Sequence, residues 1–206
     1  MGRATVAPSL RRVVLAAAGL AVVAGGTAAV ATHVDNLYPT DNYARACPDG
    51  GMNDGFCLTD NSSVSTYRQS SLTSTGKTNI GTVLGTEFAT TDLTITYSTS
   101  PVYSGDGETD LIYQARSDVP TGSDGVAWCN DAVSTYRCDQ HYAAFRSSTP
   151  TFEISCHETG HTMGLTHGYN ASPRISNTDP SLGCMQAPVP TYDLGAHNTN
   201  MINAAY

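Results

Sequence analysis

An α/β (α+β) fold is the class this sequence predicts, and three patterns predict it. Short stretches read as strands: 64–68 and 92–97 by period-two alternation, and 111–115 as a short, mostly apolar run. Apolar residues at helical spacing (Ile80, Val83, Leu84 and Phe88) place a helix between the first two strands. Beyond residue 168, Pro173, Pro180, Pro188 and Pro190 rule out a long regular element and leave a coil-rich region before a short final helix. With 206 residues the chain suits a single domain.

Taken in order, the chain opens on a leader. Arg3, Arg11 and Arg12 precede an apolar run at 13–24, too short to span a bilayer but right for the core of a signal peptide. Ala29-Val30-Ala31 supplies a cleavage site, so 1–31 reads as a signal peptide. A retained membrane anchor is the alternative, and Arg11-Arg12 is a weak twin-arginine signal. Residues 32–63, rich in Asn, Asp, Gly and Ser, read as an irregular lead-in, and 64–206 as the folded domain. Within that domain Leu93, Ile95 and Tyr97 fall on one face of the second strand. Gly76, Gly81 and Gly85 weaken the helix at 70–90. Asp106, Glu108 and Asp110 cluster in a turn whose oxygens suit calcium, although a solvated acidic turn is the commoner use of such a run. Two further strands, at 126–128 and 140–146, flank Cys129 and Cys138; Trp128 packs, and His141 reads as a strand residue rather than a ligand. Thr151 is the N-cap of a helix over 152–164. Leu194, Met201 and Ile202 mark the terminal helix, with His197 as a polar position on it.

The helix at 152–164 carries the chemistry. From Cys156 onward the sequence reads H-E-x-x-H-x-x-G-x-x-H, with His157, Glu158, His161, Gly164 and His167 at the fixed positions. Residues four apart share a helix face, so His157 and His161 point two imidazoles at one metal ion. Gly164 takes φ > 0 at no steric cost, ends the helix and turns the chain so that His167 returns as a third nitrogen ligand. Three protein ligands with one open position is the arrangement of a catalytic zinc. Glu158 lies where it reaches the metal's water without ligating. H-E-x-x-H alone recurs by chance; five fixed positions over eleven residues rarely do. Solvated histidines on a surface helix are the ordinary alternative, but this stretch holds three of the chain's six histidines.

This motif resembles that of the metzincin zinc peptidases, of a secreted, matrixin-like kind. The resemblance implies a twisted mixed sheet, an active-site helix, a small coil-rich lower subdomain and a C-terminal helix, with 64–206 as the catalytic domain. It also implies a methionine turn beneath the metal; Met185 is the best candidate and Met201 a poorer one. Some metzincins carry a tyrosine two residues after that methionine. Here the position is Ala187, and Tyr192 is only a weak substitute. Thermolysin-like enzymes take a downstream glutamate as third ligand, and no glutamate follows Glu158. Asp179 and Asp193 are off register for an aspartate in that role.

Six cysteines in an exported chain imply disulfides. Spacing suggests Cys47 with Cys57 and Cys129 with Cys138, which leaves Cys156 with Cys184. That last bridge would tie the turn of Met185 to the active helix and contribute about 3–4 kcal/mol. A free Cys156 or Cys184 thiolate on zinc is the alternative. No thiol-bearing inhibitory peptide of the matrixin kind is visible; Cys47 comes nearest, and pairing with Cys57 explains it more simply. Without 1–31 the chain holds seven basic and 18 acidic residues, about −11, with Lys77 its one lysine. Such a surface repels nucleic acid and anionic membranes.

The expected activity is that of a secreted zinc endopeptidase, monomeric, with protein or peptide as substrate. Zinc would polarise the carbonyl and acidify its water, and Glu158 would take the proton and pass it to the leaving amine. The competing expectation is a secreted zinc-binding or interaction protein without proteolysis, to which Glu158 would be of no use. A hydrolase of non-protein amides would use the same chemistry.

Overall fold

The sheet is organised around one long strand, and the helices that carry the site pack on one of its faces. The computed structural model describes residues 33–52, 55–105 and 107–206. The leader expected at 1–31 lies outside them. Strand β2 (Ser63–Arg68) pairs in parallel with β3 (Thr94–Tyr97) and β4 (Leu111–Ala115); β4 pairs in parallel with the long β6 (Arg137–Phe145). The two-residue β1 (Leu58–Thr59) joins the start of β6, also in parallel. Only β5 (Gly125–Ala132) runs the other way, as the antiparallel hairpin partner of β6. The sheet is therefore mixed, with β5 at its edge.

Helix α1 (Ser74–Thr86) is the crossover between β2 and β3. The Thr73 side chain caps it by accepting from the Gly76 amide at 3.1 Å, and Ile80, Val83 and Leu84 form its buried face. Its glycine content weakens an isolated helix, but Gly76 has a packing reason: a Cβ there would lie 2.6 Å from the Ser148 carbonyl oxygen. Phe88, one short 3₁₀ turn later, is fully buried with the same face. Tyr97 keeps the face of Ile95, opposite Thr66 as Ile95 is opposite Val64, yet it is half exposed: β3 pairs with β2 alone among the described strands, and what covers the Tyr97 ring is the Arg68 guanidinium at 4.9 Å.

Between the sheet and the helices lies one continuous core. Leu111, Tyr113 and Phe145 of the sheet meet Ile80, Val83 and Leu84 of α1, and Cys156 and Met163 at α2 (Phe152–Thr162). Full burial of such a side chain contributes about 1.5–3 kcal/mol. Tyr113 fixes the height of α2 on the sheet, its hydroxyl 2.9 Å from that of Thr159. The C-terminal helix α3 (Gly195–Ala205) packs against the 3₁₀ segment Pro180–Met185, with Ile202 buried.

The stretch ahead of β1 is irregular and tied to the rest of the domain at several points. Isolated bridges pair Asp35 with Ser172 and Leu37 with Leu165. Asn36 and Tyr38 are buried. No helix among the described residues is long and apolar enough to cross a membrane.

Candidate metal centre

Helix α2 starts at Thr151, whose hydroxyl accepts from the Ile154 amide, and stops in a Schellman turn. The Leu165 amide bonds the Gly160 carbonyl at 2.9 Å and the Gly164 amide bonds that of His161 at 3.1 Å, with Gly164 at φ 89°. A side chain on Gly164 would be strained by that φ and would meet Leu58. The reversed chain is then clamped from outside. The Tyr38 amide bonds the Gly164 carbonyl (2.8 Å), and the Thr166 amide and hydroxyl both bond the Asn36 carbonyl (2.7 and 3.0 Å). Asn36 in turn bonds Asn198 (2.9 Å) and His197 (3.0 Å) of α3. His167 follows directly from this clamp.

Three imidazoles converge. The Nε2 atoms of His157, His161 and His167 are 3.0–3.1 Å from one another. Two tautomers follow from the other ring nitrogen. His157 Nδ1 lies 2.7 Å from the Cys184 carbonyl and His161 Nδ1 2.8 Å from that of Leu165. A carbonyl only accepts, so each Nδ1 carries the proton and each Nε2 presents a bare lone pair. Burial, reinforced by the neighbouring imidazoles, pushes His157 down to about 4 and His161 well below its ordinary value; burial also lowers His167. The rings are thus neutral at pH 7, and lone pairs facing each other at this distance repel unless a cation lies between them. Zinc fits this donor set: three neutral imidazole nitrogens, spaced within a few tenths of an ångström of tetrahedral zinc ligands.

Glu158 lies beside them, buried, and its Oε2 has no hydrogen-bond partner among the described residues. Burial raises its carboxyl to about 8. Met185 is fully buried against α2, its Sδ 2.3 Å from where a Cβ on Gly160 would stand. Gly183 (φ 52°) makes the turn that brings it there, and a Cβ on that residue would meet the Leu194 carbonyl. Cys156 and Cys184 are disulfide-bonded, so the carbonyl that orients His157 is tied to the helix of His157 itself. Cys47–Cys57 and Cys129–Cys138 are the other bridges, and no cysteine is free.

The centre opens on a cleft of about 740 Å³ whose walls include Gly125, Val126 and Ala127 of β5, and Ala187, Pro188 and Val189 of the coil-rich region. Two of its contributors carry no sequence signal of their own. Phe56 packs on His161, ring centroids 4.7 Å apart. Gly125 adjoins Glu158.

Other residues singled out in the sequence lie elsewhere. His141 is buried in β6, pushed down to about 3 by burial, and stands outside the histidine cluster. Tyr192 packs on Phe152 at the far end of α2, centroids 5.5 Å apart. Met201 is on α3. Of the acidic turn, Asp106 lies outside the described residues. Asp110 is held by the Ser65 amide and hydroxyl (2.8 and 2.5 Å) and gathers with Asp60 and Asp139.

The described geometry can be set beside known proteins. No curated protein matches the chain. A family model described as Metallo-peptidase family M12B Reprolysin-like matches residues 62–204. That span holds the sheet from β2 onward, all three converging histidines, Glu158 and Met185, and leaves out the lead-in. On this match the chain belongs to the reprolysin-like metallopeptidases of family M12B, enzymes that use zinc.

Proposed function

We propose that this chain is a secreted endopeptidase in which His157, His161 and His167 hold one zinc ion and Glu158 is the general base. The observation that carries the reading is the convergence of three imidazole Nε2 atoms, two of them left unprotonated by the carbonyl at Nδ1, beside a buried, unpartnered carboxyl in an open cleft. The match to the reprolysin-like family supports a zinc peptidase of the metzincin type.

When bound, zinc supplies a Lewis acid that polarises the scissile carbonyl and acidifies water. The chain's own residues do the rest. The three imidazoles enter neutral and stay oriented by the Cys184 and Leu165 carbonyls and the Asn36 clamp. Strand β5 pairs with β6 alone among the described strands, so its outer edge along Gly125–Ala127 offers backbone groups to an extended peptide. Glu158 takes a proton from the attacking water as its oxygen bonds to the carbonyl carbon; it returns that proton to the amide nitrogen as the C–N bond breaks. With a dication held by His157, His161 and His167, the Glu158 carboxyl, which burial alone raises to about 8, would be drawn down and ionised at neutral pH. Secretion is supported by the leader-like residues 1–31 and by three disulfides.

The test is zinc content per mature chain together with casein cleavage, repeated with a chelator and with Glu158→Gln. The expected result is about one zinc, cleavage by the wild type, and loss of cleavage under both treatments. Bound zinc with nothing cut across a wide peptide library would favour a zinc-binding protein instead.

A further inference from the structure

We infer that Tyr43, Arg45 and Phe56 close one end of the cleft and give it a charge polarity, selecting an acidic substrate side chain at that end and a basic one at the other. The inference rests on the peptidase reading above.

The cleft runs along α2. Thr151, Glu153 and Ile154 line it at the start of the helix and His161 near its end. The eight steps from Glu153 to His161 span about 12 Å at 1.5 Å per residue. At the His161 end the wall is formed by Tyr43, Arg45, Gly55 and Phe56 of the lead-in, which the family match does not cover, together with Asn170. Phe56 packs on His161; Tyr43 meets Phe56 edge-on with centroids 5.2 Å apart; the Arg45 guanidinium lies 5.1 Å above the Tyr43 ring. Arg45 is the one lysine or arginine among the described residues lining the cleft, whereas Asp124 and Glu153 line the other end. A lone cation here stands out in a chain that carries about −11 beyond its leader.

This wall is built into the fold. The Cys47–Cys57 bridge closes it, the Cys47 amide bonds the Thr135 carbonyl at 2.7 Å, and the Tyr38 hydroxyl donates to the Arg45 carbonyl. The Gly50 amide also donates to the Cys129 carbonyl on β5 at 3.2 Å. The lead-in therefore occupies β5 at Cys129 and leaves Gly125, Val126 and Ala127 facing the cleft. Three residues of strand measure about 10 Å. A docked peptide meets the wall within that length, and its side chain there faces aromatic rings and a guanidinium.

The measurement is a cleavage-site profile on a diverse peptide library, using the zinc-loaded mature chain as wild type, Arg45→Glu and Arg174→Glu. Arg174 lies over Tyr169 outside the cleft lining, so its substitution changes net charge equally without touching the wall. The expected wild-type profile is enriched about two- to fivefold in Asp and Glu on one flank of the cleaved bond, the range of an exposed ion pair, and in Lys and Arg on the other. Arg45→Glu should turn the acidic flank to a basic one, through KM rather than kcat, and Arg174→Glu should keep the wild-type profile. Cleavage with no acidic flank, or the same shift in both variants, overturns this inference and leaves the peptidase reading standing. Absence of any cleavage by the zinc-loaded wild type overturns both.

Discussion

Gly125 and Glu158 share one space. A Cβ on Gly125, the first residue of β5, would lie 2.6 Å from both Cγ and Oε1 of Glu158. The carboxylate occupies the volume that any other residue would fill. Gly125→Ala should therefore displace Glu158 while leaving the histidines in place. We expect kcat to fall about 10–100-fold, part of the 10²–10⁴-fold worth of a general base, with zinc content unchanged. Steady-state kinetics beside metal analysis checks this; an unaltered kcat would show that the carboxylate has room elsewhere.

The same carboxylate sets a pH dependence in the metal-free protein. Its folded value is raised from 4.5 to about 8, so between those values the folded chain keeps a proton that the unfolded chain has lost. Stability thus falls as pH rises across that window and levels off above it. The buried histidines act oppositely, but their contribution is complete once pH passes 6.5, their unfolded value. From pH 6.5 to 8 the metal-free wild type should lose about 2 kcal/mol, at 1.36 kcal/mol per unit. Glu158→Gln should stay level over that range, as denaturant unfolding at the two pH values would reveal.

Zinc should stabilise the fold strongly, because the three histidines proposed to hold it come from α2 and the turn beyond it. At a thousandfold excess over Kd a ligand of the folded state adds about 4 kcal/mol. Chelation should lower the melting temperature of the wild type, and His167→Ala should remove most of that difference. A melting temperature indifferent to chelator would separate the three histidines from metal binding.

Gly160 and Met185 should be energetically coupled. A Cβ on Gly160 falls within the Met185 thioether. Gly160→Ala overpacks the site at a cost of about 1–3 kcal/mol, and Met185→Ala leaves a cavity costing about 2–5 kcal/mol. Combined, the two should cost less than their sum, because the new methyl enters the vacated space. A double-mutant cycle measures the coupling, and strict additivity would count against the contact.

Much of this was legible in the sequence because it is local. Helix α2 with its cap, the Gly164 turn and the spacing of His157, His161 and His167 are written within seventeen residues, and the apolar run of β4 is visible in five. Non-local partnerships were not. Nothing marks Asn36 as the residue that holds Thr166, since its hydrogen bonds span 130 residues. Gly125 looks like any loop glycine until Glu158 is placed beside it. Tyr97 alternates correctly, yet its strand lies at the sheet edge, and alternation carries no information about what covers a face.

The Asn36 clamp has a consequence for how long such an enzyme lasts. The segment that fixes His167 belongs to the first described stretch of chain, whereas the other two ligands belong to a buried helix. Trimming a few residues there by a neighbouring protease would leave the sheet and α2 intact and free one ligand in three. In the peptidase reading proposed above, loss of Asn36 would therefore release the turn that carries His167 from a point far along the chain from α2.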